Sequence, residues 1–247
     1  MSARRALRTG GLWFDGVDDY VETGLVGYQG ASPKNGWTIM CWVKIGSGGA
    51  LYIGNRGEEG LGYYSLTLFI HRFTLFGVPA YNAQFGLDRD GVWRGVYFSK
   101  DLRDSWHHLA GVFRSELYSP SAPEKAMEVW VDGVRSTTPT PSQIGSGIPF
   151  DTWSREKYLI NYHQAWATFG RGIVSEIRIY NRALTEDEIR AIYERGALIR
   201  DGLVLHLDFT EYEGNVAYDK SGCGNHATIY GARWVVKKPL RVLPKAR

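Results

Sequence analysis

The chain has 247 residues, 44% of them hydrophobic, with 14% aromatics, two cysteines and a net charge of +3. No apolar run approaches the length of a membrane span, two thiols make no disulfide framework, and the length suits one large β domain or two ordinary ones. Arg4, Arg5, Arg8, Lys237, Lys238, Arg241, Lys245 and Arg247 place +8 on the two ends and leave −5 on the body, and the body has no basic stripe with interleaved aromatics, which argues against nucleic acid as the main partner.

Residues 1–7 lack the apolar h-region of a secretory signal; with Met1 as the natural start, the chain is expected not to leave a cell by the usual route. From residue 12 the pattern is β. Residues 12–21 read as strand, Asp15-Gly16 turn and strand. In residues 37–45, Trp37, Ile39, Cys41, Val43 and Ile45 share one face, expected in the core, while Trp42 on the other face needs a loop or second layer above it. Short apolar runs at 51–53, 63–73, 85–87 and 92–98, separated by Gly, Pro, Asn and Asp, predict an antiparallel meander. Residues 106–113 form a further strand. Residues 127–135 predict a hairpin turning at Asp132-Gly133, and 136–149 a long polar connection.

Short strands are expected at 158–161 and 166–169. In 170–180, Ile173, Ile177 and Ile179 are spaced as the apolar face of a half-buried strand. Thr185 with Glu188 three residues later makes a capping box, and Leu184 with Ile189 a hydrophobic staple. Acids at 186–188, Arg195 near the end and Gly196 after it complete a helix over 185–195. Residues 203–209 return to strand, 218–225 form a polar loop, and 227–230 a last short strand. A segment of this size cannot bury a core alone and must join a sandwich.

These motifs carry a resemblance. Residues 14–21 (FDGVDDYV), 37–43, 106–110 (WHHLA), 130–133 (WVDG) and 176–184 (EIRIYNRAL) occur in the order of the laminin-G-like, concanavalin A-like jelly rolls. The resemblance implies an all-β antiparallel jelly-roll sandwich with one short helix, a domain over 12–235, and basic segments at 1–11 and 236–247. Residues 202–209 and 219–225 resemble the segment that usually opens the family's domain. Here they come last, so the order looks circularly permuted. Strand 203–209 then pairs either beside strand 173–180 of its own chain, the arrangement expected of consecutive elements, or with a neighbouring subunit.

Enzyme chemistry is not expected. Hydrolases on this fold use paired carboxylates along one strand, whereas Glu186, Asp187 and Glu188 open a helix and Glu58-Glu59 lies in a Gly-rich loop. His107 and His108 point to opposite faces of a strand and cannot share a metal. The resemblance implies a rim calcium, with Asp18, Asp19, Asp219, Asn225 and Glu176 as candidate ligands; Asx-type turns explain the same residues. Trp153, Trp166, Tyr162 and Tyr81, in or beside loops, are candidate platforms for a glycan. The leading expectation is a non-catalytic surface protein, a virion or particle decoration or fibre subunit, at a virion or extracellular surface. Its basic tails would dock on an acidic subunit or polyanion; as solvated ends they would aid solubility alone. The alternatives are a glycan-binding module of an extracellular adhesin or enzyme, and a glycosidase.

Overall fold

The computed structural model describes residues 10–26, 35–46, 49–55, 65–75, 78–89, 92–119, 121–140, 156–163 and 168–236. In chain order the strands are β1 (Gly10–Asp15), β2 (Tyr20–Val26), β3 (Trp37–Lys44), β4 (Leu51–Asn55), β5 (Ser65–Leu75), β6 (Val78–Arg89) and β7 (Val92–Phe98). They continue with β8 (Trp106–Phe113), β9 (Met127–Val131), β10 (Val134–Ser136), β11 (Thr138–Pro139), β12 (Lys157–Ile160), β13 (Tyr162–His163), β14 (Thr168–Phe169) and β15 (Arg171–Tyr180). Helix α1 (Glu186–Arg195) precedes β16 (Leu203–Leu207), β17 (Val216–Ala217), β18 (Ala227–Tyr230) and β19 (Arg233–Val236).

Two antiparallel sheets face each other, as a jelly-roll sandwich requires. The first runs β10-β9-β8-β3-β15-β1-β19, with β16 also on β15; the second runs β11-β7-β6-β5-β4-β12-β2-β18-β17. Their inner faces meet in one core. Ile39, Cys41 and Val43 come from β3, Leu66, Leu68 and Ile70 from β5, and Leu205, Leu207 and Ile229 from the C-terminal segment. At Gly111 a Cβ would stand 2.1 Å from the Phe85 ring, so the missing side chain lets Phe85 of the second sheet lie against the backbone of the first.

Hairpin β5–β6 is longer than the apolar runs predict, with Ser65 paired to Asp88 and Leu75 to Val78. Asn82 and Gln84, buried on the face of β6 turned away from the core, interrupt the apolar pattern without interrupting the ladder. Ile173 departs from the expected face. A bulge between Val174 and Glu176 moves the inward positions from odd to even upstream of it, so Val174 enters the core and Ile173 turns outward. Strand β16 pairs with residues 177–180 of β15 in the same chain, and β1 takes residues 171–174 of that edge.

Helix α1 covers one end of the first sheet's outer face. The capping box is present, Gly196 ends the helix at φ 66°, and Ile189 and Ile192 pack with Leu184 on Met40, Ala110, Val112, Trp130 and Tyr180. Tyr193 reaches Trp42, ring centroids 5.9 Å apart, which supplies the layer Trp42 needs. Beside it the Glu176 Oε1 accepts from Arg178 Nε (3.1 Å) and Nη2 (2.9 Å) and is bonded to His206 Nε2 (2.8 Å), while Arg178 Nη1 donates to the Ala197 carbonyl at 2.7 Å. Glu176 and Arg178 are each 3% exposed. Removing one partner of such a pair strands a buried charge. Arg178→Met is expected to cost about 3–5 kcal/mol in urea unfolding, and Glu176→Met/Arg178→Met less than that single change; a loss below about 1 kcal/mol would show that the pair does not clamp the helix segment.

Candidate functional site

With α1 on the first sheet, the outer face of the second sheet at β2, β12 and β18 is where an aromatic cleft forms. Strand β2 alternates cleanly. Val21, Thr23 and Leu25 are buried, and Tyr20 and Glu22 point outward. Register places Tyr230 opposite Tyr20 and Leu159 opposite Glu22, so outward positions of β18, β2 and β12 adjoin. Hairpin β13–β14 pairs Tyr162 with Phe169 and brings their rings over Tyr20.

Four aromatic rings result. Tyr162 and Phe169 stack at 4.8 Å, Tyr20 and Tyr230 at 4.5 Å, and Tyr20 lies 6.1 Å from Tyr162 and 6.3 Å from Phe169. Lys157 Nζ donates to Glu22 Oε1 at 2.6 Å, and this bond lifts the Lys157 ammonium above its ordinary value. Tyr20, Glu22, Glu156, Lys157, Leu159, Tyr162 and Phe169 line a cleft of about 310 Å³, near the lower bound of small-molecule sites.

Asn161 positions the hairpin. It is buried at φ 71°, a left-handed conformation that Asn tolerates better than most residues. Its amide donates to the Asp19 carbonyl (3.0 Å) and the Gly170 carbonyl (2.7 Å), tying the β1–β2 turn to both hairpin strands. At Gly170 a Cβ would stand 2.3 Å from Asn161 Oδ1, so only glycine lets the two segments meet.

The candidate residues separate. Tyr162 lines the cleft. Tyr81 does not serve as a platform: it is 6% exposed, joins the core, and is capped by Arg103 at 5.0 Å from its ring. Trp153 and Trp166 lie outside the described residues. In the sequence Tyr20, Phe169 and Tyr230 each read as an ordinary strand aromatic; the outward position of Tyr20 on an alternating strand is the signal available there.

The five expected calcium ligands do not converge. Asp18 and Asp19 join Asp15, ligand atoms within 4.8 Å of one another, the one such acidic trio among the described residues. These three could hold a cation; burial raises the Asp19 carboxyl, and Asp15 and Asp18 add to that shift. Asp19 Oδ2 also accepts from the Asp15 amide at 2.8 Å and Asp15 Oδ1 from the Val17 amide at 2.8 Å, the bonds of an Asx-type turn. Glu176 is instead engaged by Arg178 and His206, away from the Asp15–Asp18–Asp19 group. Asp219 is held by its own loop rather than set toward that group. It accepts from the amides of His206, Ser221 and Asn225 and from Ser221 Oγ, which fills its lone pairs. Asn225 spends its side chain on the Val204 carbonyl at 2.8 Å. His107 is bonded to Asp132 at 2.7 Å, and the His108 ring lies 5.0 Å from Trp42.

The chain matches the concanavalin A-like lectin/glucanases superfamily over residues 15–190 and belongs to it. No curated protein matches it in sequence. Among solved structures it is similar to a proposed carbohydrate binding protein from Bacteroides ovatus, at 16% identity and a TM-score of 0.59 over 94% of this chain and 61% of that one. It is also similar to the heptameric SAP-like pentraxin of Limulus polyphemus, at 12% identity and a TM-score of 0.54 over 90% of this chain and 94% of that one. At such identities the likeness shows the fold, a lectin-like jelly roll. The chain thus spans less than two thirds of the Bacteroides protein. Among the described residues no helix is long and apolar enough to cross a membrane.

The Asp219 loop has a pH signature. Burial opposes the charge, but the bonds from Ser221, His206 and Asn225 outweigh it and hold the carboxyl below its usual range. A group depressed in the folded state stabilises above its unfolded pKa of about 3.9 and loses that contribution as pH falls through the folded value. Asp219→Asn is expected to cost about 1–3 kcal/mol at neutral pH. In urea unfolding the difference from wild type should shrink below about pH 4; a constant difference would mean that the ionised form is not what the loop amides hold.

Proposed function

We propose that the chain is a non-catalytic carbohydrate-binding module whose site is the cleft between β2, β12 and hairpin β13–β14. The observation that carries this reading is the set of clustered rings beside a charged pair. The C–H face of a pyranose stacks on Tyr162 or Phe169. Glu22 accepts from sugar hydroxyls and Lys157 donates to them, as ionised groups whose hydrogen bonds are stronger than neutral ones. A non-catalytic role is supported by the Glu22–Lys157 bond, which gives the carboxylate an ammonium partner where a general acid would need a proton. Tyr162→Ala is expected to lower affinity about tenfold or more for the oligosaccharides that the wild type captures on a glycan array, measured by calorimetry with the fold checked by circular dichroism. Unchanged binding would move the site elsewhere, and the absence of any bound glycan would end the reading.

A role on a particle or extracellular surface is a second proposal. It is supported by the basic ends and by the edge position of β19, which leads the chain toward the basic residues 237–247. Light scattering of the full chain and of residues 10–236, which keeps β1 and β19 whole, tests it: oligomers that dissociate on trimming are expected, and one unchanged monomer mass in both would overturn assembly through the tails.

A further inference from the structure

Among the described residues, helix α1 does not reach the other end of the first sheet's outer face. There the register aligns one row of side chains across five strands. Arg233 of β19 is opposite Trp13 of β1, Trp13 opposite Ile173 of β15, Ile173 opposite Lys44 of β3, and Lys44 opposite Trp106 of β8. Residues that pair in this way share a face. Arg233 is exposed and the other four are partly exposed. The bulge at residue 175 creates the row, since without it Ile173 would point into the core.

The row repeats itself. A cation and an indole at Arg233–Trp13 are followed, across Ile173, by a cation and an indole at Lys44–Trp106. Three strand intervals separate the repeats, about 14 Å at the usual spacing. Arg233 Cζ lies 5.7 Å from the Trp13 ring centre. Among the described residues neither Lys44 nor Arg233 has an ion-pair partner, and neither indole N–H of Trp13 and Trp106 has a hydrogen-bond acceptor. The acid next in register, Asp15, stands opposite Arg171, and Arg233 is close enough to Asp19 to favour its charged form without forming an ion pair with it.

From this geometry we infer that the row is a second binding surface, separate from the cleft, for a linear acidic polysaccharide with widely spaced carboxylates. The partly exposed indoles supply aromatic surface to neutral sugars, and the two cations, each next in register to an indole on strands about 14 Å apart, meet the acidic groups. The spacing disfavours nucleic acid, whose phosphates recur about every 3.4 Å along a strand. The −5 body charge disfavours dense polyanions by general repulsion.

The probes are gellan oligosaccharides, with a single uronate in each repeat, their carboxyl-reduced neutral forms, and a single-stranded oligonucleotide. Calorimetry is run on the full chain, on Lys44→Glu/Arg233→Glu and on Tyr162→Ala. Gellan is expected to bind the wild type and Tyr162→Ala alike. Its affinity should fall about tenfold or more on carboxyl reduction or in the double charge variant. Equal binding of the reduced form, no binding of gellan to the wild type, tighter binding of the oligonucleotide, or loss in Tyr162→Ala alone would each overturn the inference. The carboxyl-reduced probe needs no variant, so a misfolded double variant cannot decide the result.

Discussion

Strand β15 must satisfy hydrogen bonds on both edges inside the first sheet, because buried backbone groups left unpaired are costly. One edge pairs with β3 from Ile173 to Tyr180. The other is shared, with β1 reaching Val174 and β16 beginning at Ile177. The bulge falls where one partner hands over to the next. Downstream of it Ile177 and Ile179 face the core and Glu176 and Arg178 face α1. Upstream the outward residue is Ile173. One extra residue thus divides the outer face of the first sheet into an end that a helix covers and an end that it does not.

The covered end holds a buried acid, a guanidinium and an imidazole, which an apolar helix–sheet contact would not require. Arg178 spends one nitrogen on the Ala197 carbonyl just past the C-terminus of α1. His206 brings β16 to the same carboxylate. The network therefore ties together the strand, the exit of the helix and the returning C-terminal segment. Such a network specifies geometry more than it adds stability, since the desolvation of its charges offsets much of their attraction.

On the second sheet the cleft depends on backbone rather than on packing. Asn161 in a left-handed conformation turns the chain from β12 into the β13–β14 hairpin, and its two amide bonds hold the hairpin against the β1–β2 turn. Tyr162 and Phe169 stand over Tyr20 because of that tie. The superfamily fold hosts unrelated functions, so these side chains, and not the sandwich, carry the functional reading.

Local chemistry was legible in the sequence wherever one short segment contained it. The cap of α1 at Thr185 and Glu188, its stop at Gly196, the turn at Asp132-Gly133 and the inward face of β3 all depend on neighbours within a few residues. The length of β5–β6 was not legible, because outward Asn82 and Gln84 look like loop residues until a partner strand shows them on a ladder. The face of Ile173 was not legible either, since a bulge leaves period-2 spacing apparent in the letters while it reverses it in space. Nor was the cleft: Tyr20, Lys157, Tyr162, Phe169 and Tyr230 come from segments up to the length of the domain apart. Their meeting is decided by strand register and by one buried asparagine amide, and strand pairing of this range leaves no periodic trace in the chain.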